Sequence, residues 1–318
     1  MPKIAILDDY LDVAIRMADW KNLPSNCHID VFNQAFAGED EAARMLAGHE
    51  IIVAMRERTP FPKSLIDRLP NLKLLVTTGM RNLAIDMAAA RVRGVDVCGT
   101  GILPYPAAEH CWALIMALAK RIPEADRAMH EGRWQEGLCT GLKGKTLGLF
   151  GLGKLGAQVA AVGLAFGMKI AAWSQNLTAD RCKEVGATLV DKDALFRDSD
   201  FVAIHVVLGD RTRSAVGARE LGLMKPTAYL VNTSRGPVVD EAALIVALRE
   251  RRIAGAGIDV YDVEPLPADH PLRGLDNAVL TGHTGYVTEE NLRLMYEEAL
   301  GDVRAWLAGA PIRVLNGA

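Results

Sequence analysis

Four side chains that could bind an anion and exchange a proton are spread along one stretch of the sequence: a guanidinium at Arg235, carboxylates at Asp259 and Glu264, and an imidazole at His283. Arg235 stands in Asn232-Thr233-Ser234-Arg235-Gly236-Pro237, a turn between an apolar run and a helix expected to start near Asp240. A guanidinium facing a crevice there suits bidentate capture of a carboxylate. Asp259 and Glu264 follow Gly257-Ile258, and His283 follows Leu280-Thr281-Gly282, so each comes just after an expected strand. Taken singly, each group has an ordinary structural use, the Arg capping carbonyls and the His satisfying a core contact. At successive strand ends of one parallel sheet they would share its carboxyl edge. Together, at the edge of a nucleotide-binding sheet, they form a better-specified site than any one of them alone, with a cation for an anion and a group that can exchange a proton.

A phosphate cradle precedes this group. Gly151-Leu152-Gly153-Lys154-Leu155-Gly156 is led in by the apolar run Leu147 to Phe150, continues into a helix over Ala157 to Phe166, and is followed by a second strand over Met168 to Trp173. A lone G-x-G-x-x-G is weak, but between a strand and a helix the first glycine permits a tight turn, the second lets a pyrophosphate approach, and the third allows close helix–strand packing. The pyrophosphate would sit at the helix N-terminus. At the end of the second strand, where an NAD site usually carries Asp or Glu, the chain reads Ser174-Gln175-Asn176. NAD is expected as cofactor. Loss of the carboxylate leaves NADP, or use of both, open, with Arg181 the nearest cation in sequence for a 2′-phosphate.

These groups need a scaffold. β-type runs at Lys3–Leu7, His28–Phe32, Ile51–Ala54, Leu74–Thr77 and Val95–Cys98 alternate with helical spacing, as over Glu41–Gly48 and Pro62–Leu69. A second series follows at Thr146–Phe150, Lys169–Trp173, Ala187–Val190, Phe201–Val206, Ala228–Val231, Gly255–Ile258 and Ala278–Thr281. Alternation of this kind predicts α/β architecture with two doubly wound parallel sheets. Between the series, apolar residues at helical spacing predict one long, mostly buried helix from Pro106 to about Met129. It follows Gly99-Thr100-Gly101-Ile102-Leu103-Pro104-Tyr105-Pro106, a turn-rich link between domains.

Length and composition agree with two domains. The chain has 318 residues, half of them hydrophobic and 24% charged, with a net charge of −3, so no global basic footprint points to nucleic acid or an anionic membrane. Five cysteines, with no C-x-x-C pair and no zinc-type spacing, suit a reducing compartment and no metal. The start, Met1-Pro2-Lys3-Ile4-Ala5-Ile6-Leu7-Asp8-Asp9, does not read as a signal peptide, and no run approaches the ~18 apolar residues of a membrane helix. A cytoplasmic protein with a small-molecule partner is expected.

With these motifs in place, the sequence closely resembles the D-isomer-specific 2-hydroxyacid dehydrogenase family, which includes phosphoglycerate dehydrogenases and hydroxypyruvate reductases. The likeness covers nearly the whole chain. It rests on Gly151 to Gly156 with Phe166-Gly167-Met168-Lys169, Met224-Lys225-Pro226 leading to Asn232-Thr233-Ser234-Arg235-Gly236, Gly257-Ile258-Asp259-Val260 through Glu264-Pro265, and His283. The resemblance implies a Rossmann-type nucleotide domain (residues 101–289) inserted into a flavodoxin-like substrate domain (residues 1–100 and 290–318), and a homodimer through the nucleotide domain. Catalytic roles are implied for Arg235 on the substrate carboxylate and carbonyl, His283 as proton donor and acceptor, and Glu264 as its partner. Cofactor contacts are implied for Gly151, Gly153, Lys154, Leu155, Gly156, Ser174, Gln175, Asn176, His205, Val206, Thr212, Thr233, Ser234, Asp259 and Gly285. Substrate contacts are implied for Arg56, Thr78, Gly79, Met80 and Arg81.

Some positions depart from the family pattern. Gly79-Met80-Arg81-Asn82 puts Arg81 where a glycine is usual, which would suit a substrate with a second anionic group. Arg56-Glu57-Arg58-Thr59 resembles a phosphoglycerate dehydrogenase segment, so phosphoglycerate dehydrogenase proper stays open as an alternative. His205-Val206-Val207 replaces the usual His-x-Pro, and no regulatory domain is expected after residue 318. Expected activity is hydride transfer between NAD(P)(H) and a small 2-keto or 2-hydroxy acid of D configuration, held in an interdomain cleft. The competing expectation is a nucleotide-sensing, corepressor-like binding protein on the same fold. Glu264, in place of Gln, disfavours formate oxidation.

Overall fold

Ile51-Ile52-Val53-Ala54 is buried at all four positions, as a strand covered on both faces must be. Runs of this kind recur through the computed structural model of the protein, which describes residues 1–317. The chain divides into two units, Met1–Leu103 with Val287–Ala318, and Pro104–Tyr286.

In the first unit, β1 (Lys3–Ile6), β2 (His28–Val31), β3 (Ile51–Ala54), β4 (Leu74–Thr77) and β5 (Asp96–Gly99) form a parallel sheet in the order β2-β1-β3-β4-β5. This is the flavodoxin-like order, with a reversal between β1 and β3 where loops part and ligand sites form. The C-terminal segment returns to this sheet. Val314 bridges Cys98 antiparallel to β5, and the Asn316 side chain accepts from the Val97 N–H and donates to the Val95 carbonyl.

Arg313 anchors that return by donating to Asp302 in the helix Glu289–Leu307, with Nη2–Oδ1 at 2.9 Å. Burial outweighs the guanidinium and pushes Asp302 up to about 7. Its folded-state affinity for a proton thus exceeds the unfolded one, so this group costs stability as pH rises from about 4 to about 7. Asp302→Asn is expected to remove that cost. Thermal denaturation should show the variant gaining on the parent between pH 5 and 8, by roughly 2–4 °C per kcal/mol relieved. Parallel curves for the two proteins would refute it.

The second unit carries β6 (Thr146–Phe150), β7 (Lys169–Trp173), β8 (Thr188–Leu189), β9 (Phe201–Ile204), β10 (Tyr229–Asn232), β11 (Gly255–Ile258) and β12 (Ala278–Leu280). All pairs are parallel, in the order β12-β11-β10-β9-β6-β7-β8. Numbered from β6, this is the doubly wound dinucleotide-binding order, whose switch point falls between β6 and β9. Leu147, Leu149, Val159, Ile115 and Trp112 pack on one face, and Phe150, Phe196, Val202 and Leu230 on the other.

The single helix expected from Pro106 to about Met129 is instead two, Pro106–Lys120 and Ile122–His130. Arg121 between them adopts the left-handed conformation at φ 52°. Pro123 explains the break, because it has no N–H to donate and its ring would clash with the carbonyl four residues earlier. Only the first piece is largely buried; in the second, Ala128 alone is.

Candidate active site

Two of the three glycines after β6 are demanded by the fold, and the third leaves room. A Cβ at Gly151 would lie 2.8 Å from the His205 carbonyl oxygen, and one at Gly156 would lie 2.4 Å from the Gly151 carbonyl oxygen. A Cβ at Gly153 would meet nothing within 4 Å. Gly153 caps the helix Lys154–Ala165 with no side chain bonded to its first N–H groups. That combination fits an anionic group seated at the helix N-terminus, where Lys154 and Leu155 begin the first turn. We expect Gly156→Ala to weaken NADH binding about tenfold or more, since overpacking against backbone costs about 1–3 kcal/mol. Isothermal titration with NADH would read this directly, and unchanged affinity would mean the cradle is not the nucleotide site.

His205 and Val206 follow β9 and back the cradle. The His205 N–H donates to the Phe150 carbonyl, and its ring lies 3.9 Å from the Cys111 sulfur. Burial pushes this imidazole down to about 4 and the Cys111 thiol up to about 12, so the pair is neutral packing. The Ser234 hydroxyl donates to the Val206 carbonyl, tying the β10 turn to the β9 loop. Thr233 is half-buried beside it. Farther along, the Thr212 hydroxyl donates to Val207 O at 2.7 Å and accepts from the Gly209 N–H at 2.9 Å.

Ser174, Gln175 and Asn176 follow β7 directly, as the sequence expects. The cation expected near them is a different one. Arg181 pairs with Glu184 at 2.9 Å on its own helix, Ala179–Glu184, while Arg211 Nη1 donates to Gln175 Oε1 at 3.4 Å.

His283 and Glu264 are brought together. Nδ1 of His283 lies 2.6 Å from Oε2 of Glu264, and the other Glu264 oxygen accepts from the Tyr261 N–H at 2.9 Å. The Tyr286 ring meets the imidazole edge-on at 5.7 Å. His283 is left-handed at φ 55°, a conformation held by its N–H, which donates to the Asp259 carbonyl at 2.7 Å.

Asp259 organises the same loop from below. Its carboxylate accepts from the Thr281 hydroxyl at 2.6 Å and from the N–H groups of Thr284 at 2.8 Å and Gly285 at 2.9 Å. His110 lies 3.2 Å from it and 2.9 Å from the Thr281 hydroxyl. These hydrogen bonds and the His110 contact overcome burial and hold the Asp259 carboxyl below its ordinary value. His110 was not among the residues the sequence singled out, because it lies within an apolar helix and meets Asp259 only through the fold. The usable signal was a polar ring set among residues expected to be buried.

Arg235 is half-buried in the turn after β10, with Nη1 donating to the Ser234 carbonyl at 2.7 Å. Asn232 shapes that turn, donating to the Arg235 carbonyl and accepting from the Ser234 N–H. A Cβ on Gly236 would fall 2.1 Å from the Tyr261 backbone, so the Arg235 turn lies against the segment that leads to Glu264.

The residues expected to contact substrate from the first unit form their own cluster there. Arg56, left-handed at φ 53°, donates from Nη1 to the Thr78 carbonyl and from its N–H to the Thr78 hydroxyl. The Gly79 N–H donates to the Thr100 hydroxyl. Met80 and Arg81 are exposed. The neighbouring Arg58 donates to the Asp8 carbonyl and covers the Tyr10 ring, and the Thr59 hydroxyl donates to the Asp8 carboxyl, so this part of Arg-x-Arg-Thr serves loop packing.

Residues 112–285 match the NAD-binding domain of the D-isomer-specific 2-hydroxyacid dehydrogenases. The chain belongs to that family. Accordingly the dehydrogenase is an oxidoreductase whose chemistry is NAD-linked hydride transfer on 2-hydroxy acids. A glyoxylate reductase of Aeropyrum pernix is 40% identical over 264 residues, covering 79% of the dehydrogenase and 78% of that protein. A phosphoglycerate oxidoreductase from Vibrio cholerae has a TM-score of 0.91 at 35% identity, covering 98% of the dehydrogenase and all of that chain. The D-lactate dehydrogenase of Aquifex aeolicus, solved with NAD and lactic acid, has a TM-score of 0.78 at 26% identity, with 99% of each chain covered. No helix among the described residues of the dehydrogenase is long and apolar enough to cross a membrane.

Proposed function

We propose that this chain reduces a small 2-keto acid to the D-2-hydroxy acid, and runs the reverse reaction, with His283, Glu264 and Arg235 as its catalytic residues. The observation that carries the reading is the 2.6 Å His283–Glu264 pair, standing on strand-end loops of the sheet that also bears the glycine cradle. When bound, the nicotinamide supplies or accepts the hydride. Glu264 fixes the imidazole by its Nδ1, which leaves Nε2 to deliver a proton to the carbonyl oxygen in reduction or take one from the hydroxyl in oxidation. Arg235 binds the substrate carboxylate and the carbonyl oxygen, meeting the charge that grows there. Asp259 and His110 hold the loop carrying His283.

Gly151, Gly153, Lys154, Leu155 and Gly156 cradle the pyrophosphate in this reading, and Ser174, Gln175 and Asn176 meet the adenosine ribose. A panel of glyoxylate, hydroxypyruvate and pyruvate, assayed with NADH and NADPH, tests the assignment. Turnover of at least one acid is expected, and none with any pair would overturn it. Arg81 is proposed to favour acids with a second anionic group, so Arg81→Ala should narrow the gap in KM between acidic and neutral keto acids.

The same reading extends to assembly and location. Exposed apolar side chains gather along and after the helix Ile122–His130, with Ile122, Met129, Trp134 and Leu138 all more than half exposed. A second copy of the chain is the proposed cover, giving a homodimer through the nucleotide-binding unit. Sedimentation should show a dimer that Trp134→Glu/Leu138→Glu shifts toward monomer, and a monomeric parent would refute it. A cytoplasmic location is proposed because all five cysteines are free thiols.

A further inference from the structure

In a dinucleotide-binding sheet the loop after the second strand meets the ribose that carries either a 2′-hydroxyl or, in NADP(H), a 2′-phosphate. Here that loop is Ser174-Gln175-Asn176, which bears no charge of either sign. A carboxylate would repel a phosphate, and none is present in these three residues.

A cation reaches this loop from elsewhere in the fold. β7 and β9 flank β6 on its two sides, so the loops leaving their carboxyl ends open at the same edge as the glycine cradle. Arg211 lies on the β9 loop and donates from Nη1 to Gln175 Oε1 at 3.4 Å. Thr212 ties that loop to Val207 and Gly209, so the guanidinium is presented from a shaped turn. Arg211 and Gln175 are both exposed, so an incoming phosphate meets the guanidinium without displacing core packing. Arg181 is engaged with Glu184.

We propose that Arg211 is a cofactor-specificity residue that binds the 2′-phosphate of NADP(H), so that the adenosine pocket accepts NADP(H) at least as well as NAD(H). The proposal rests on the reading of Gly151 to Gly156 as the dinucleotide site. A guanidinium offers a phosphate two parallel N–H donors and a full charge, and Ser174 and Gln175 add neutral donors beside it. The ribose of NAD(H), with its 2′-hydroxyl, loses little without Arg211, because Ser174 and Gln175 can still hydrogen-bond it.

Dissociation constants for NADPH and NADH, measured on the full chain by calorimetry, test this without recourse to turnover. The parent should bind NADPH as tightly as NADH or more tightly. Arg211→Ala should weaken NADPH about tenfold or more while leaving NADH within about twofold, and Arg211→Glu should weaken NADPH further. The fragments 2′,5′-ADP and ADP should repeat the pattern. A parent that binds NADPH at least tenfold more weakly than NADH would overturn the proposal while leaving the dinucleotide site standing, as would an Arg211→Ala variant that changes neither affinity or both alike. Binding of neither dinucleotide would overturn the site reading and the proposal with it.

Discussion

His283→Asn is expected to lower kcat for keto-acid reduction by about 10²–10⁴-fold, the range for removing a positioned general acid. Asparagine is chosen because it tolerates the left-handed backbone that His283 adopts at φ 55°, so the loop holding Thr284 and Gly285 on Asp259 is spared. What the variant loses is an ionisable nitrogen whose partner nitrogen is held 2.6 Å from Glu264. NADH affinity should stay within about twofold, since the substitution leaves Gly151, Gly153 and Gly156 and the loop's bonds to Asp259 in place. Stopped-flow reduction of glyoxylate, paired with an NADH titration, separates the two effects. A kcat within threefold of the parent would remove His283 from the chemistry, and a matched loss of NADH affinity would make it a structural residue.

How far such a site is readable before folding depends on whether its contacts are local. Gly151 and Gly156 were legible because a strand, a tight turn and a helix follow one another without interruption; the clash at Gly156 lies within that unit, and the one at Gly151 falls on His205 after β9, the neighbouring strand in the sheet. The inner strands β3, β4, β9 and β11 were legible because burial on two faces leaves short runs, such as Ile51–Ala54, with no alternating polar positions. Glu264 and His283 could be placed at one edge in advance because each follows a strand of the same sheet, and the resemblance to the family supplied their pairing.

Other features escaped for physical reasons. The apolar periodicity of Pro106–Lys120 runs on past Lys120, and only Pro123, set among good helix formers, marks the break at Arg121. Its ring is tolerated in the first turn of a new helix and not within an old one, which the spacing of apolar residues does not distinguish. The cation beside Gln175 was sought along the chain, at Arg181, whereas the fold supplies Arg211 from a loop two strands away in the sheet. His110 likewise meets Asp259 from a helix at the start of its unit. Contacts of this kind depend on strand order, and strand order is a property of the assembled sheet.

Arg235→Lys should lower kcat/KM for glyoxylate by about 10²-fold or more, comparable with removing a donor to a developing oxyanion. The substitution keeps a positive charge and discards the planar fork, so it isolates the geometry that a carboxylate and an adjacent carbonyl oxygen require together. The turn itself is shaped by backbone and Asn232 contacts: Asn232 holds the Arg235 carbonyl and the Ser234 N–H, and Gly236 lies against the Tyr261 backbone. Those contacts survive the change, so the Glu264 segment and the imidazole it holds keep their places. Glycolaldehyde, which has the carbonyl but no carboxylate, provides the internal control. Its kcat/KM should fall by a smaller factor than that of glyoxylate, because only one of the two contacts to Arg235 exists to be lost. Equal losses for the two substrates would show that Arg235 does not read the carboxylate, and an unchanged kcat/KM for both would place the anion-binding group elsewhere.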